Sequence, residues 1–183
     1  MLKTDYPKTL TLGKTKYILR LMDADDRNAI LAMAQRLSED DLLFLRRDIT
    51  QPAMVDEWIN DLLTNRAITI LAEDDGQLVA YGSVYYNQLY WNRHLAEIRF
   101  LVSSPYRNRG LGTRITHELM TIAKQIDVDK VVTYMAVEDK SAQRVVEDLG
   151  FRPEAILTDW VKTRDDRTHD LLIMSIALDG LQS

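Results

Sequence analysis

Residues 94–126 read HLAEIRFLVSSPYRNRGLGTRITHELMTIAKQI. Two periodicities meet in this stretch. Leu95, Ile98, Phe100 and Val102 supply apolar, β-favouring side chains, which predicts a strand over 94–103. Pro105 lacks a backbone donor and ends the pairing. Helical spacing then takes over, with Leu111, Ile115, Leu119, Ile122 and Ile126 along one face. Between strand and helix lies Arg107-Asn108-Arg109-Gly110-Leu111-Gly112-Thr113. A helix start leaves N–H groups without partners, and the helix dipole adds partial positive charge there. Glycine lets the main chain approach a ligand closely. Arginine adds fixed charge and forked donors. The sum is a seat for an anion, most naturally a di- or triphosphate.

Val102, four residues, then Arg107-x-x-Gly110-x-Gly112 resembles the acetyl-CoA motif of the GNAT acetyltransferase superfamily. The resemblance spans roughly residues 10–178. It implies an α/β (α+β) fold, with a central mixed, mostly antiparallel sheet of about seven strands flanked by helices. It also implies that Arg107, Asn108, Arg109, Gly110, Leu111, Gly112 and Thr113 clasp the pyrophosphate of acetyl-CoA, the co-substrate. Main-chain groups of Leu101 and Val102 would pair with the pantetheine arm as another strand would. Two rival phosphate motifs fit less well. A dinucleotide fingerprint needs a third glycine where Ile115 stands, and a P-loop needs Gly-Lys-Ser/Thr.

Asp139-x-x-Ala142 followed by Leu149-Gly150-Phe151 resembles the family's second motif, which adds Asp139 to the cofactor residues. The chain departs from that motif twice. Asp139 replaces a common Asn, and Val146 replaces a Tyr that often protonates the leaving thiolate. The proton donor is therefore open between Tyr134 and Tyr106, each of which also reads as a structural tyrosine.

An amine acceptor, with a pKa of about 10.4 for a lysine-like group, must lose a proton to attack a thioester. A carboxylate in a partly apolar cleft is a suitable general base. Glu97 in Ala96-Glu97-Ile98-Arg99-Phe100 is the candidate. That phrase resembles the strand of histone and bacterial protein lysine acetyltransferases. The structural alternative is a surface glutamate paired with Arg99, two residues on and on the same side. Backbone N–H groups of Leu101 or Val102 would serve the developing oxyanion.

Bulk properties bound the rest. The chain of 183 residues reads as a single N-acetyltransferase domain over 1–183. Its net charge is −5, and neither half is a basic nucleic-acid platform. It contains no cysteine, which excludes disulfides, thiolate metal sites and a cysteinyl acyl-enzyme. His94, His117 and His169 are not grouped as a metal site. The polar start and the lack of a long apolar run predict a cytoplasmic protein without membrane contact.

In chain order, residues 9–22 read as one strand or a strand pair turning at Gly13-Lys14. Asp23 caps a helix over 25–37, and Asp23, Asp25 and Asp26 read as its solvated acidic start. Ser38 and Asp41 form a capping box, and Pro52 opens a helix to about Leu63. Phe44 and Trp58 read as core residues that could also wall an acceptor pocket. Strands follow at 67–72 and 78–87 around the turn Asp74-Asp75-Gly76-Gln77, then a strand at 130–137 and a helix at 139–149. A hairpin over 155–178 turns at Arg164–Arg167, which reads as a solvated tip.

The sequence therefore predicts an acetyl-CoA-dependent N-acetyltransferase using direct attack, with Glu97 as base. The acceptor is a protein lysine or a small amine. The alternative is a non-catalytic acyl-CoA-binding sensor, motivated by Asp139 and Val146. A homodimer is left open.

Overall fold

The structure is a computed structural model that describes residues 6–178. Strands β1 (Lys8–Leu12) and β2 (Thr15–Leu21) form a hairpin. Helices α1 (Arg27–Arg36), α2 (Glu39–Leu43) and α3 (Pro52–Leu63) follow. Then come β3 (Ala67–Asp74), β4 (Gln77–Tyr86), β5 (Leu95–Val102), α4 (Leu111–Gln125), β6 (Lys130–Ala136), α5 (Lys140–Asp148), β7 (Arg152–Lys162) and β8 (Thr168–Ala177). They build one eight-stranded sheet in the order β1-β2-β3-β4-β5-β6-β8-β7. The sheet is mostly antiparallel, with β5 and β6 the parallel pair. The eighth strand arises because residues 9–22 fold as the pair rather than as one strand.

Side-chain alternation along the strands splits the core in two. Ala96, Ile98 and Val102 of β5 face α4 and α5, packing with Leu111, Ile115, Leu119 and Val146. Leu101 points the other way, into a second cluster with Ile30, Met33, Val55 and Trp58 from α1 and α3. Helix α4 lies unusually close to β4 at Gly82, where an added Cβ would sit 2.5 Å from Ile115 Cγ2. A buried chain of polar groups ties the other layer down. Trp58 Nε1 donates to Thr69 Oγ1 at 3.1 Å, and Thr69 and Ser83 share a hydrogen bond at 2.7 Å.

The 25–37 helix begins differently from expectation. A single 3-10 turn at 24–26, capped by Asp23, precedes the α-helix. Asp26 is not solvated: it is buried, and the Arg20 guanidinium grips both its oxygens at 2.6 and 2.8 Å. Burial pushes its pKa up, but Arg20 and the Asp23 N–H outweigh this and hold it below the ordinary carboxylate value.

The feature that positions the site is a parting in the sheet. β5 and β6 pair only at Leu95–Lys130, Ala96–Val131 and Glu97–Val132. Thr133 Oγ1 donates to Ile98 O at 3.1 Å, and beyond that link the two strands diverge. The N-termini of α4 and α5 flank the opening. Among the described residues, no helix is long and apolar enough to cross a membrane.

Candidate active site

Gly110 stands before the first turn of α4 with φ +80°, a left-handed conformation that glycine adopts without strain. No side chain caps that turn, so its N–H groups face the opening. The groove there has a volume of ≈ 510 Å³. One wall is Phe100, Leu101, Val102, Arg107, Asn108, Gly110, Gly112 and Thr113; the other is the α5 segment from Asp139 through Asp148. The structure thus brings together eight of the ten cofactor residues the sequence indicated. The other two do not line the groove with their side chains. Leu111 is fully buried in the core, and Arg109 lies 5.5 Å from the Tyr106 ring centroid.

Arg107 is held rather than free. Its Nε donates to Val102 O at 3.0 Å, and its Nη2 donates to Asp41 Oδ1. Asp41 is buried, and also accepts from Ser104 N at 3.2 Å, Ser104 Oγ at 2.7 Å and Ser38 N at 3.2 Å. Burial pushes the Asp41 pKa up; the bonds from Ser104 and Ser38 and the charge of Arg107 more than reverse this and hold it low. Sequence reasoning saw Asp41 only as a capping residue. Nothing local signals that it anchors a loop over 60 residues away.

Two further basic residues line the groove, Lys140 and Arg144. Sequence reasoning missed them, although an i, i+4 basic pair opening a helix beside Asp139 was visible. Asp139 itself caps α5, accepting from Ala142 N at 3.0 Å. Val146 faces the core and is fully buried, so α5 presents no phenol at that position.

A second cavity of ≈ 90 Å³ opens where the groove ends. The 44–49 segment supplies Phe44, Arg46 and Arg47; β4 supplies Tyr81 and Tyr85; β5 supplies Arg99; β6 supplies Tyr134. Trp58, buried as a core residue, also forms part of its wall. Phe100, Asp139 and Ala142 line both spaces, so the groove and the cavity adjoin at these three residues. A third hollow of ≈ 290 Å³ extends the cavity past Arg46 and Tyr134 to Trp160 and Lys162 of β7. The hairpin tip reaches this side, with Arg164 Nη1 3.6 Å from Asp48 Oδ1.

Glu97 lies opposite Tyr85 on the same sheet face as Arg99. Its carboxylate takes Arg99 Nε at 2.6 Å and Arg99 Nη2 at 3.2 Å, and also Arg46 Nη1. The pairing with Arg99 named as the structural alternative is present, and Glu97 stands at the last β5–β6 pair without lining the groove or the cavity. Burial above all raises the pKa of Tyr81 and Tyr85, so both phenols stay protonated at neutral pH. Tyr134 faces the cavity, whereas Tyr106 packs edge-on to Tyr17 and lines neither space. His117 is exposed, and His169 pairs with Glu138 at 3.1 Å and packs on Phe44. Among the described residues no group of three metal-binding side chains is found.

A cleft built this way, a parted parallel strand pair with a helix N-terminus at its mouth, defines a class. Residues 32–151 match the acetyltransferase (GNAT) family, and the chain belongs to it. It is an N-acetyltransferase, and the groove residues fit the acetyl-CoA that family members bind. The chain is 21% identical over 158 residues to YwnH of Bacillus subtilis (strain 168), which carries the provisional name phosphinothricin acetyltransferase; 85% of this chain and 96% of that one align. Its fold resembles Mycobacterium smegmatis RimJ in complex with CoA-disulfide, with TM-score 0.76, 18% identity, and 97% and 91% of the two chains covered. It also resembles spermidine N-acetyltransferase from Vibrio cholerae in complex with CoA and spermine, with TM-score 0.73, 17% identity, and 89% and 96% covered.

Proposed function

We propose that the enzyme acetylates a primary amine by direct attack on acetyl-CoA, with Glu97 accepting the amine proton directly or through one water. The observation that carries this reading is the adjacency of groove and cavity, which share Phe100, Asp139 and Ala142. A ligand held by its phosphates at the α4 N-terminus would run along the free edge of β5 and deliver its acyl group there. Leu101 and Val102 supply main-chain groups on that edge, and Lys140 and Arg144 add charge on the opposite wall. The amine nitrogen forms the new C–N bond as the C–S bond breaks, the proton leaves towards Glu97, and the thiolate takes a proton. Tyr134 is the proposed donor, because it faces the cavity and Tyr106 does not.

The acceptor is a small amine or a protein lysine. Two similar proteins are named for the small amines phosphinothricin and spermidine.

Thiol release from acetyl-CoA with an amine panel tests the reading. Wild type turns over at least one amine. Glu97→Gln still binds CoA and loses roughly 10²–10⁴-fold in rate, the range for a positioned general base. Full activity of Glu97→Gln across pH overturns the base assignment.

A further inference from the structure

The acceptor cavity is basic, against the acidic balance of the whole chain. Three arginines line it, Arg46, Arg47 and Arg99, with Asp139 the one carboxylate among its lining residues. Their counter-charges stand outside that lining. Glu97 holds Arg46 and Arg99, and Asp61 and Glu57 flank Arg47 Nη2 at 2.9 and 3.5 Å. Arg47 Nη1 is buried and has no hydrogen-bond partner among the described residues. A buried guanidinium N–H without an acceptor is costly and marks a position where a ligand oxygen would be favoured.

We infer that the acceptor amine carries its own anionic group, a carboxylate or a phosphorus oxyanion as in an amino acid or aminophosphonate. We infer further that Arg46, in leaving Glu97 for that anion, frees the carboxylate to take the amine proton. This rests on the reading of the cavity as the acceptor site. Arg46 is suited to the exchange: its side chain is 42% exposed on a connecting segment, and its guanidinium lies 4.8 Å from the Tyr134 ring centroid. Arg99 stacks on Tyr85 at 4.1 Å and stays as the fixed half of the clamp. A polyamine would meet three like charges there against the single carboxylate of Asp139.

The test compares kcat and KM for an α-amino acid, its neutral amide, 2-aminoethylphosphonate and spermidine, in wild type and in Arg46→Gln. Wild type favours the anionic amines over the amide and spermidine by at least about tenfold in kcat/KM, the factor expected for roughly 1.4 kcal/mol of charge-assisted bonding. The amino acid and the phosphonate separate the two anion types. In Arg46→Gln, KM rises about tenfold for the anionic amines, while kcat for the neutral amide rises because Glu97 has lost one captor. Preference for spermidine, or equal loss on anionic and neutral amines in Arg46→Gln, overturns the inference while leaving acetyl transfer intact. Calorimetry of 2-aminoethylphosphonate against the CoA-bound protein supplies the other arm. Arginine-dependent binding without turnover of any amine supports the anion site and instead sinks the transfer reading. Absence of binding sinks the anion site.

Discussion

Asp41 and Ser104 are joined twice, at 2.7 Å through the serine hydroxyl and at 3.2 Å through its backbone N–H. Their contact fastens α2 to the turn that leads into the Arg107–Thr113 loop, and Arg107 closes the same knot. A buried carboxylate accepting four hydrogen bonds from three residues is rigid, and the loop it holds inherits that rigidity.

Replacing that carboxylate therefore acts at a distance from the groove. Asp41→Ala leaves the Ser104 and Ser38 N–H groups and the Arg107 guanidinium without their acceptor and is expected to cost about 1–3 kcal/mol of stability. CoA affinity should fall several-fold as the loop loosens. Urea unfolding and calorimetry check the two effects separately.

The pH dependence has a defined sign. Asp41 and Asp26 have native pKa values below their ordinary 3.8. Their stabilisation is complete above that value and is lost as pH falls through the native pKa. Stability measured from pH 6 down to pH 2 should decline at the acid end, and Asp41→Asn should flatten that decline.

Gly82 tolerates no side chain. In Gly82→Ala the new Cβ would press on Ile115 Cγ2 and on Leu119 Cδ1, 3.0 Å away, and α4 would have to shift. A loss of about 1–3 kcal/mol is expected from overpacking. Gly112→Ala is the control, since its Cβ would meet Val102 and Val145 at 3.6 and 3.7 Å, ordinary contact distances. A comparison of melting temperatures distinguishes them.

Thr69 sits in the middle of the buried chain from Trp58 to Ser83. Thr69→Val keeps the shape but strands the indole N–H, costing about 1–3 kcal/mol. Trp58 also walls the cavity proposed for the acceptor, so KM for the amine should rise while CoA affinity holds.

Local patterning carried much of this fold. The 3.6 spacing from Leu111 and the alternation in 94–103 located β5, the loop and α4 within a residue or two. The capping box at Ser38 and Asp41 was legible because it lies within four residues. What escaped was long-range. The pairing of Asp41 with Arg107, the grip of Arg20 on Asp26, and the arrival of Arg46 on Glu97 all join segments that no spacing rule connects. Phe44 and Trp58 read as core residues that could also wall a pocket, and both line the cavity; Arg46 and Arg47, which set its charge, carried no pattern that marked them. Leu111 and Arg109 fell in the recognised motif, yet Leu111 is the first residue of α4 and joins its buried face, while Arg109 lies in the loop ahead of Gly110 and is exposed.

The two halves of the sheet are stitched together along β5 and β6 by three residue pairs and one threonine hydroxyl. A pantetheine chain laid in the parting would complete the unfinished seam, so the substrate would double as a structural strut. Deuterium uptake at residues 99–102 and 133–136 should then slow on CoA addition, with a rise in melting temperature that grows with ligand concentration.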